Sequence, residues 1–217
     1  MTVAYRVMQA GVSRSFPERD QLLEHGADVG GVLLLVGADA GQAFRAVTAP
    51  EQYVAILLEL GTECLGVHTG EDHTEGSNVL GFARFRLGDA PPTNLVELVK
   101  QPHTHPESLS AARSVFEVAG LVVAVCNDFP GRIVDRLMRP YFNAVLRRLD
   151  EGLASAADLD TTLRLGLGYP EGPVGLLHRT GLAAHFDVTQ ALHEALADPA
   201  YAPSRRARVA KARTESR

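Results

Sequence analysis

His178, His185 and His193 are spaced by seven and eight residues, near one helical face, and imidazoles are the commonest nitrogen ligands for a metal. Zinc on a helix needs its ligands one turn apart, as in HExxH, or thiolates close by, and these histidines have neither. They read as partly buried or surface residues, and no metal is expected. Cys64 and Cys126 form no CxxC or ligand-type spacing and suit a reducing compartment. Acyl transfer by a serine nucleophile has no GxSxG elbow to support it. Phosphate binding needs backbone N–H groups at a helix start that a ligand can approach without meeting a Cβ. Gly30-Gly31 and Gly37 with Gly41 miss the GxGxxG spacing after a first strand, and Gly166 and Gly168 sit in a helical context. Turns and caps are their expected roles. Among the acids, Glu97 of the strand-like LVELV is read as a strand-end residue paired with Arg84 or Arg86. Asp135 has Arg139 one turn on, a pair worth a few tenths of a kcal/mol on an exposed helix.

The elements that would position these residues divide into two halves. Apolar runs around residues 3–7, at GVLLLVG ending on Gly37, and in ECLGVHT, VLGFARFRL, NLVELVK and LVVAVCN read as strands. Helices are predicted over 17–25, 51–60 and 106–119. That alternation favours a mainly parallel sheet covered by helices. From Pro130 onward there is no strand signal. Ile133/Val134, Leu137/Met138, Tyr141, Val145 and Leu149 paint a stripe along one long helix, with Asp128 as its N-cap, Pro130 in its first turn and a kink at Pro140. Ser155 with Asp158 forms a capping-box-like start for a second helix, and Pro173 and Pro203 open later ones. The fold class expected is a reduced Rossmann-like α/β domain over 1–126 followed by an all-α domain over 127–217.

The stretch 127–177 also carries a family resemblance. Asp128, Pro130-Gly131, Ile133-Val134, Arg136-Leu137, Pro140-Tyr141, Asn143, Glu151-Gly152, Asp158, Asp160, Gly166-Leu167-Gly168-Tyr169-Pro170 and Gly172-Pro173 match, in order, the C-terminal domain of the 3-hydroxyacyl-CoA dehydrogenase family. The resemblance runs from about residue 94 to 202. It implies a nucleotide-binding domain that holds NAD on a glycine-rich turn, followed by a helical domain that makes the dimer contact. It also implies a catalytic His oriented by a Glu, and an Asn that donates to substrate from the helix beginning PGxIVN. Glu97 matches the Glu. The His position falls on Ala83 or Phe85, and the Asn position is Asp135, whose carboxylate can only accept. His68 and His73 lie upstream and His103 and His105 downstream, with His68 the nearest replacement base. The missing glycine turn and the short first half resemble the reduced second half of tandem 3-hydroxybutyryl-CoA dehydrogenases. Glu97 and Asp135 are then vestigial family positions and no NAD is bound. The chain acts as a non-catalytic association subunit, either a homodimer or a heteromer with a full-length dehydrogenase. The alternatives are an active NAD-dependent enzyme of fatty-acid or aromatic-acid degradation, or an acyl-CoA-binding module using the region of Glu97 and Asp135.

Composition sets the remaining bounds. A chain of 217 residues can bury enough surface to stand without staples. Its formal net charge of −5 argues against nucleic acid. No apolar run approaches the ~20 residues of a membrane span, and no signal-peptide pattern opens the sequence, so a soluble cytoplasmic protein is expected. The basic cluster from Arg205 to Arg217 reads as a solvated terminal helix.

Overall fold

The computed structural model describes residues 4–27, 30–70 and 78–216. They form two compact units, one of residues 1–85 and 92–132, the other of residues 86–91 and 133–217. The 126/127 boundary read from the sequence lies inside the first unit, six residues before this division.

Unit 1 is a six-stranded sheet in the order β1 (Tyr5–Gln9), β2 (Val32–Val36), β3 (Ala55–Glu59), β4 (Val79–Arg84), β5 (Leu95–Lys100) and β6 (Val122–Asn127). All neighbours are parallel except β4 and β5. Helices α1 (Gln21–Glu24), α2 (Ala40–Arg45), α3 (Gly66–Thr69) and α4 (Pro106–Val118) cover it. VLLLV is apolar throughout and AILLE up to its last residue, Glu59, because both faces of the sheet are covered. Alternation along the strands sorts the core. Val32, Leu34 and Val36 join Leu22 of α1, Phe82 and Phe116 of α4 on one face, while Leu33 and Leu35 join Ala40 of α2, Ile56, Leu58 and Leu65 on the other.

Strands β1, β2 and β3 step across the sheet in one direction, yet the β1–β2 connection packs on the α1/α4 face and the β2–β3 connection on the α2/α3 face. The two crossovers therefore have opposite hand, and one departs from the right-handed rule.

Two local expectations are corrected. Residues 51–60, read as a helix, form a short 3-10 turn (Pro50–Gln52) and then β3. The run AILLE is too short to show its period, and a buried strand and a buried helix segment look alike over five residues. ECLGVHT, read as a strand, contains α3, whose first two free N–H groups are taken by Asp128 from across the unit.

Unit 2 contains α5 (Ile133–Asp150), α6 (Ala156–Leu167), α7 (Pro173–Thr180), α8 (Leu182–Leu196) and α9 (Arg205–Glu215). Ser155 caps α6 as expected, its Oγ accepting from Asp158 N–H at 3.1 Å. Pro203 precedes α9 instead of opening it, with Ser204 at the N-cap. Helix α5 begins at Ile133, not near Asp128, and runs unbroken through Pro140. Pro140 has no N–H for the Arg136 carbonyl one turn back, and the Tyr201 hydroxyl donates to that oxygen at 3.0 Å. Tyr201→Phe is expected to lower stability by about 1 kcal/mol in urea unfolding; an unchanged midpoint would mean this bond does not help retain the proline in the helix.

The face that α5 buries also differs from the stripe read in sequence. Arg139, Phe142, Asn143, Val145 and Leu146 point inward, while Leu137 is 69% and Ile133 38% exposed. Two polar side chains occupy the inner face because they have partners there. Among the described residues no helix is long and apolar enough to cross a membrane.

Candidate functional site

In open parallel sheets ligands bind beyond the carboxyl ends of the strands, so the loops after β1, β2 and β3 are the first place to look. Here they converge on Glu59, the last residue of β3, which is 7% exposed. The Ser13 hydroxyl donates to Glu59 Oε2 at 2.8 Å, Gly37 N–H to the same oxygen at 2.7 Å, and Ser15 N–H to Oε1 at 2.7 Å. Gly37 sits at φ +119°, where a Cβ would lie 2.1 Å from the Ala10 carbonyl oxygen, so glycine is required at this strand end. A cleft of about 240 Å³ adjoins Glu59, with Arg14, Gly61 and Glu63 on its walls, and one of about 630 Å³ at the end of β1 is lined by Glu18, Arg19, Asp20 and Glu24.

His68 lies on α3 with its Nε2 3.6 Å from Glu63 Oε1, its ring filling the space above Gly41. Burial works to raise the Glu63 carboxyl, but the bond to His68, with those to backbone N–H groups, leaves it below the usual carboxylate range.

Glu97 is 1% exposed in the middle of the sheet, directly opposite Ala83 across the antiparallel β4–β5 pair. Opposed residues share a face, with Cβ atoms roughly 5 Å apart. Of the two positions on which the family's His could fall, Ala83 is the one facing Glu97 in this register. Glu97, read as a strand-end residue paired with Arg84 or Arg86, is instead the third of six residues in β5. Arg84 faces the other way, bonding the Ser15 and Thr93 carbonyls and Asp20, with its guanidinium over the Phe16 ring.

The motif residues at the end of unit 1 act as a staple. Asp128 accepts from Leu65 N–H and Gly66 N–H at 2.7 and 2.8 Å, and from Gln101 Nε2 at 3.1 Å. Gly131 N–H donates to the Thr62 carbonyl, and buried Arg132 reaches the Phe129, Gly61 and Glu63 carbonyls. Cys64 and Cys126 are both half-buried free thiols, and burial pushes both up from their ordinary range. Neither is an activated thiolate.

In unit 2 Asp135 lies at the head of a buried polar chain. Its Oδ1 accepts from Arg139 Nε at 2.7 Å, and Arg139 is fully buried. Arg139 Nη1 lies 3.0 Å from His185 Nδ1, and His185 Nε2 lies 3.0 Å from Asn143 Oδ1. Asn143 Nδ2 donates to Thr189 Oγ1 at 2.7 Å, and that hydroxyl donates to the Tyr201 carbonyl, also at 2.7 Å. A guanidinium can only donate, so His185 Nδ1 must accept and Nε2 must carry the hydrogen. Burial, aided by the Arg139 charge, lowers the His185 pKa from 6.5 to about 3.

The sequence therefore found the Asp135–Arg139 pair but not its setting, because nothing in the stripe marked Arg139 as buried. Of the three spaced histidines, His178 is exposed on α7, His185 is buried on α8 and His193 is half-buried in the last turn of α8. Among the described residues no group of three His, Cys, Asp or Glu side chains could hold a metal ion. His103 and His105 flank the start of α4, and His73 lies outside the described residues.

Helix α6 has no buried residue, and Leu165 and Leu167 are 81% and 62% exposed. It is held by Asp160, whose carboxylate accepts from Val174 N–H and Gly175 N–H, both at 2.8 Å, at the start of α7. A Cβ on Gly172 would lie 2.2 Å from the Asp160 side chain, so the glycine in YPEGP makes room for that clamp.

This clamp sits inside the strongest sequence match. Residues 131–215 match the family model for the 3-hydroxyacyl-CoA dehydrogenase C-terminal domain. The helical half belongs to that family. A 3-hydroxybutyryl-CoA dehydrogenase from Bradyrhizobium diazoefficiens is 34% identical over 117 residues, 54% of this chain and 40% of that protein. The human mitochondrial hydroxyacyl-coenzyme A dehydrogenase is 36% identical over 115 residues, covering 52% and 37%. The chain thus spans about two fifths of the length of these dehydrogenases. The fold is shared more widely than the sequence. The (S)-3-hydroxybutyryl-CoA dehydrogenase structure from Ralstonia eutropha superposes with a TM-score of 0.70 at 23% identity, over 85% of this chain and 66% of its own. The Escherichia coli 3-hydroxybutyryl-CoA dehydrogenase also gives 0.70, at 24% identity over 83% and 39%. Both domains expected from the sequence, a Rossmann-type sheet and a helical region, are therefore present.

Proposed function

We propose that this chain is a non-catalytic association subunit of the 3-hydroxyacyl-CoA dehydrogenase family, cytoplasmic, binding no NAD, and pairing through its helical unit with a second copy. The observation that carries this reading is α6, which buries none of its residues and exposes Leu165 and Leu167. Leu165 and Leu167 are two positions apart and so point to different sides of α6, and strongly exposed leucines on more than one side of a helix support its use as an association surface. Leu137 of α5 and Leu153, 69% and 68% exposed, add to the apolar surface of the same unit.

The absence of redox chemistry is supported by three features of unit 1. The doubly wound order 3-2-1-4-5-6 reverses direction at its first strand, and the dinucleotide lies at that reversal. The order here is sequential and has no reversal. Deleting the second and third strands of such a sheet would join the first directly to the fourth. A helix from one face and a helix from the other would then follow in sequence, which accounts for the crossovers of opposite hand. Secondly, the residue facing Glu97 is Ala83, which cannot move a proton. Thirdly, the clefts at the strand ends carry Glu18, Asp20, Glu24, Glu59 and Glu63 against Arg14 and Arg19, a net negative lining that disfavours a pyrophosphate.

Sedimentation equilibrium at micromolar concentration is expected to show a dimer, and Leu165→Glu with Leu167→Glu a folded monomer. A monomeric wild-type chain that also fails to bind a full-length dehydrogenase would overturn the reading, and so would saturable NADH binding. Binding only to the full-length enzyme would make the partner a heteromeric one.

A further inference from the structure

We propose that Ser13, Ser15 and Gly37 form an anion-binding cradle at the ends of β1 and β2, and that the chain's own Glu59 occupies it as a resident anion. Three donors from two separate loops meet one carboxylate at 2.7–2.8 Å. Ser13 and Ser15 are set in place by further hydrogen bonds, and Gly37 by its backbone conformation. Ser13 Oγ accepts from Phe16 N–H at 2.8 Å, which commits the hydroxyl hydrogen to Glu59. Ser15 Oγ accepts from Arg84 N–H at 3.1 Å, and the Arg84 guanidinium donates to the Ser15 carbonyl at 3.2 Å. Gly37 can adopt its φ of +119° and its contact with Ala10 only because it has no side chain. Donors fixed in this way and withdrawn from water bind an anion without reorganising, the arrangement by which strand-end loops and backbone nests take up phosphate or carboxylate.

The carboxylate comes from inside the protein. Glu59 extends from the end of a fully buried strand, so its own backbone fixes where the anion sits. The cradle is closed to an external phosphate or carboxylate as long as Glu59 keeps its place. This rests on the reading of unit 1 as a nucleotide-free sheet, for which it supplies a local cause. It also assigns the cradle a ligand class, small carboxylates and phosphates.

Glu59→Ala removes the atoms of an acetate ion, so acetate is the probe. The full-length variant is expected to melt roughly 5–10 °C below wild type through loss of the buried acceptor. Tens of millimolar acetate are expected to restore about half of that loss, with inorganic phosphate as a second probe, while the same ionic strength of chloride does not. Wild type and the isosteric Glu59→Gln, whose cradle stays filled, are expected to show no acetate-specific shift. Should Glu59→Ala fail to fold, refolding yield in acetate against chloride gives the same comparison. Equal effects of acetate and chloride on Glu59→Ala, or an acetate shift in wild type as large as in the variant, would overturn the cradle. NADH titration of wild type separately tests the nucleotide-free reading: saturable binding there with acetate rescue intact sinks that reading and leaves the cradle.

Discussion

Replacing Asp135 by Asn is expected to destabilise the helical unit by about 3–5 kcal/mol, although Asn is the residue that the family resemblance implies at this position. The change is conservative in shape and leaves Asp135's neighbours in contact. It removes the charge that balances Arg139, which is fully buried, with its Nε donating to Asp135 at 2.7 Å and Nη2 already without a partner. Solvent cannot replace the lost counter-charge, so the cost is that of an uncompensated buried cation, not the few tenths of a kcal/mol of an exposed i,i+4 pair. Urea unfolding of the full chain, followed by circular dichroism and with Asp135→Ala alongside, measures it. Combining Asp135→Asn with Arg139→Met should recover part of the loss, since it removes the uncompensated buried charge while leaving buried His185 Nδ1 without its donor. A single Asp135→Asn that costs under 1 kcal/mol would show that the pair does not hold Arg139 in place. A gain of dehydrogenase activity on that substitution would reverse the assignment of Asp135 as a structural residue.

The same position shows how far the sequence could be read. Long patterned segments were legible: α4, α5 and α6, the apolar strands β2, β4, β5 and β6, and the cap at Ser155 all follow from local periodicity and hydrogen-bonding chemistry. What local pattern could not supply was direction. In α5 the apolar residues Ile133 and Leu137 face outward and Arg139 and Asn143 inward, because the buried polar groups satisfy each other through His185 and Thr189, partners more than 40 residues away. Asp128 reads as the cap of the helix that follows it, yet caps α3, more than 60 residues upstream. Glu59 was hidden at the end of a run whose four apolar residues, Ala55 to Leu58, carry no period, so neither its place at a strand end nor its three donors could be seen. Each failure concerns a polar side chain whose partner is distant in sequence. The matched family residues Asp128, Asn143, Asp160 and Gly172 all form or make room for such long-range contacts, which is a physical reason for a specific motif that involves no chemistry on a substrate.

The buried polar chain gives the helical unit an acid-sensitive stability. In the folded protein burial and the Arg139 charge hold His185 at a pKa of about 3, whereas in the unfolded chain it returns to its ordinary value near 6.5. Between those values the unfolded state binds a proton that the folded state refuses, so stability rises with pH across this window and is lost as pH falls through it. The slope per site is about 1.4 kcal/mol per pH unit, so lowering the pH from 6.5 to 5 is expected to cost roughly 2 kcal/mol, above the range where most carboxylates titrate. Geometry gives the same sign. Nδ1 accepts from Arg139, and protonation would set one N–H against another beside a guanidinium that cannot move away. Urea midpoints at pH 7, 6 and 5 test this on wild type, and His185→Gln, which has no titrating group, should flatten the dependence even though it starts less stable. Ring nitrogen shifts in NMR should report the Nε2–H tautomer unchanged down to pH 5. A wild-type stability that stays level from pH 7 to 5, or a His185 ring that titrates near 6.5 in the folded protein, would remove the buried chain as the source of acid sensitivity.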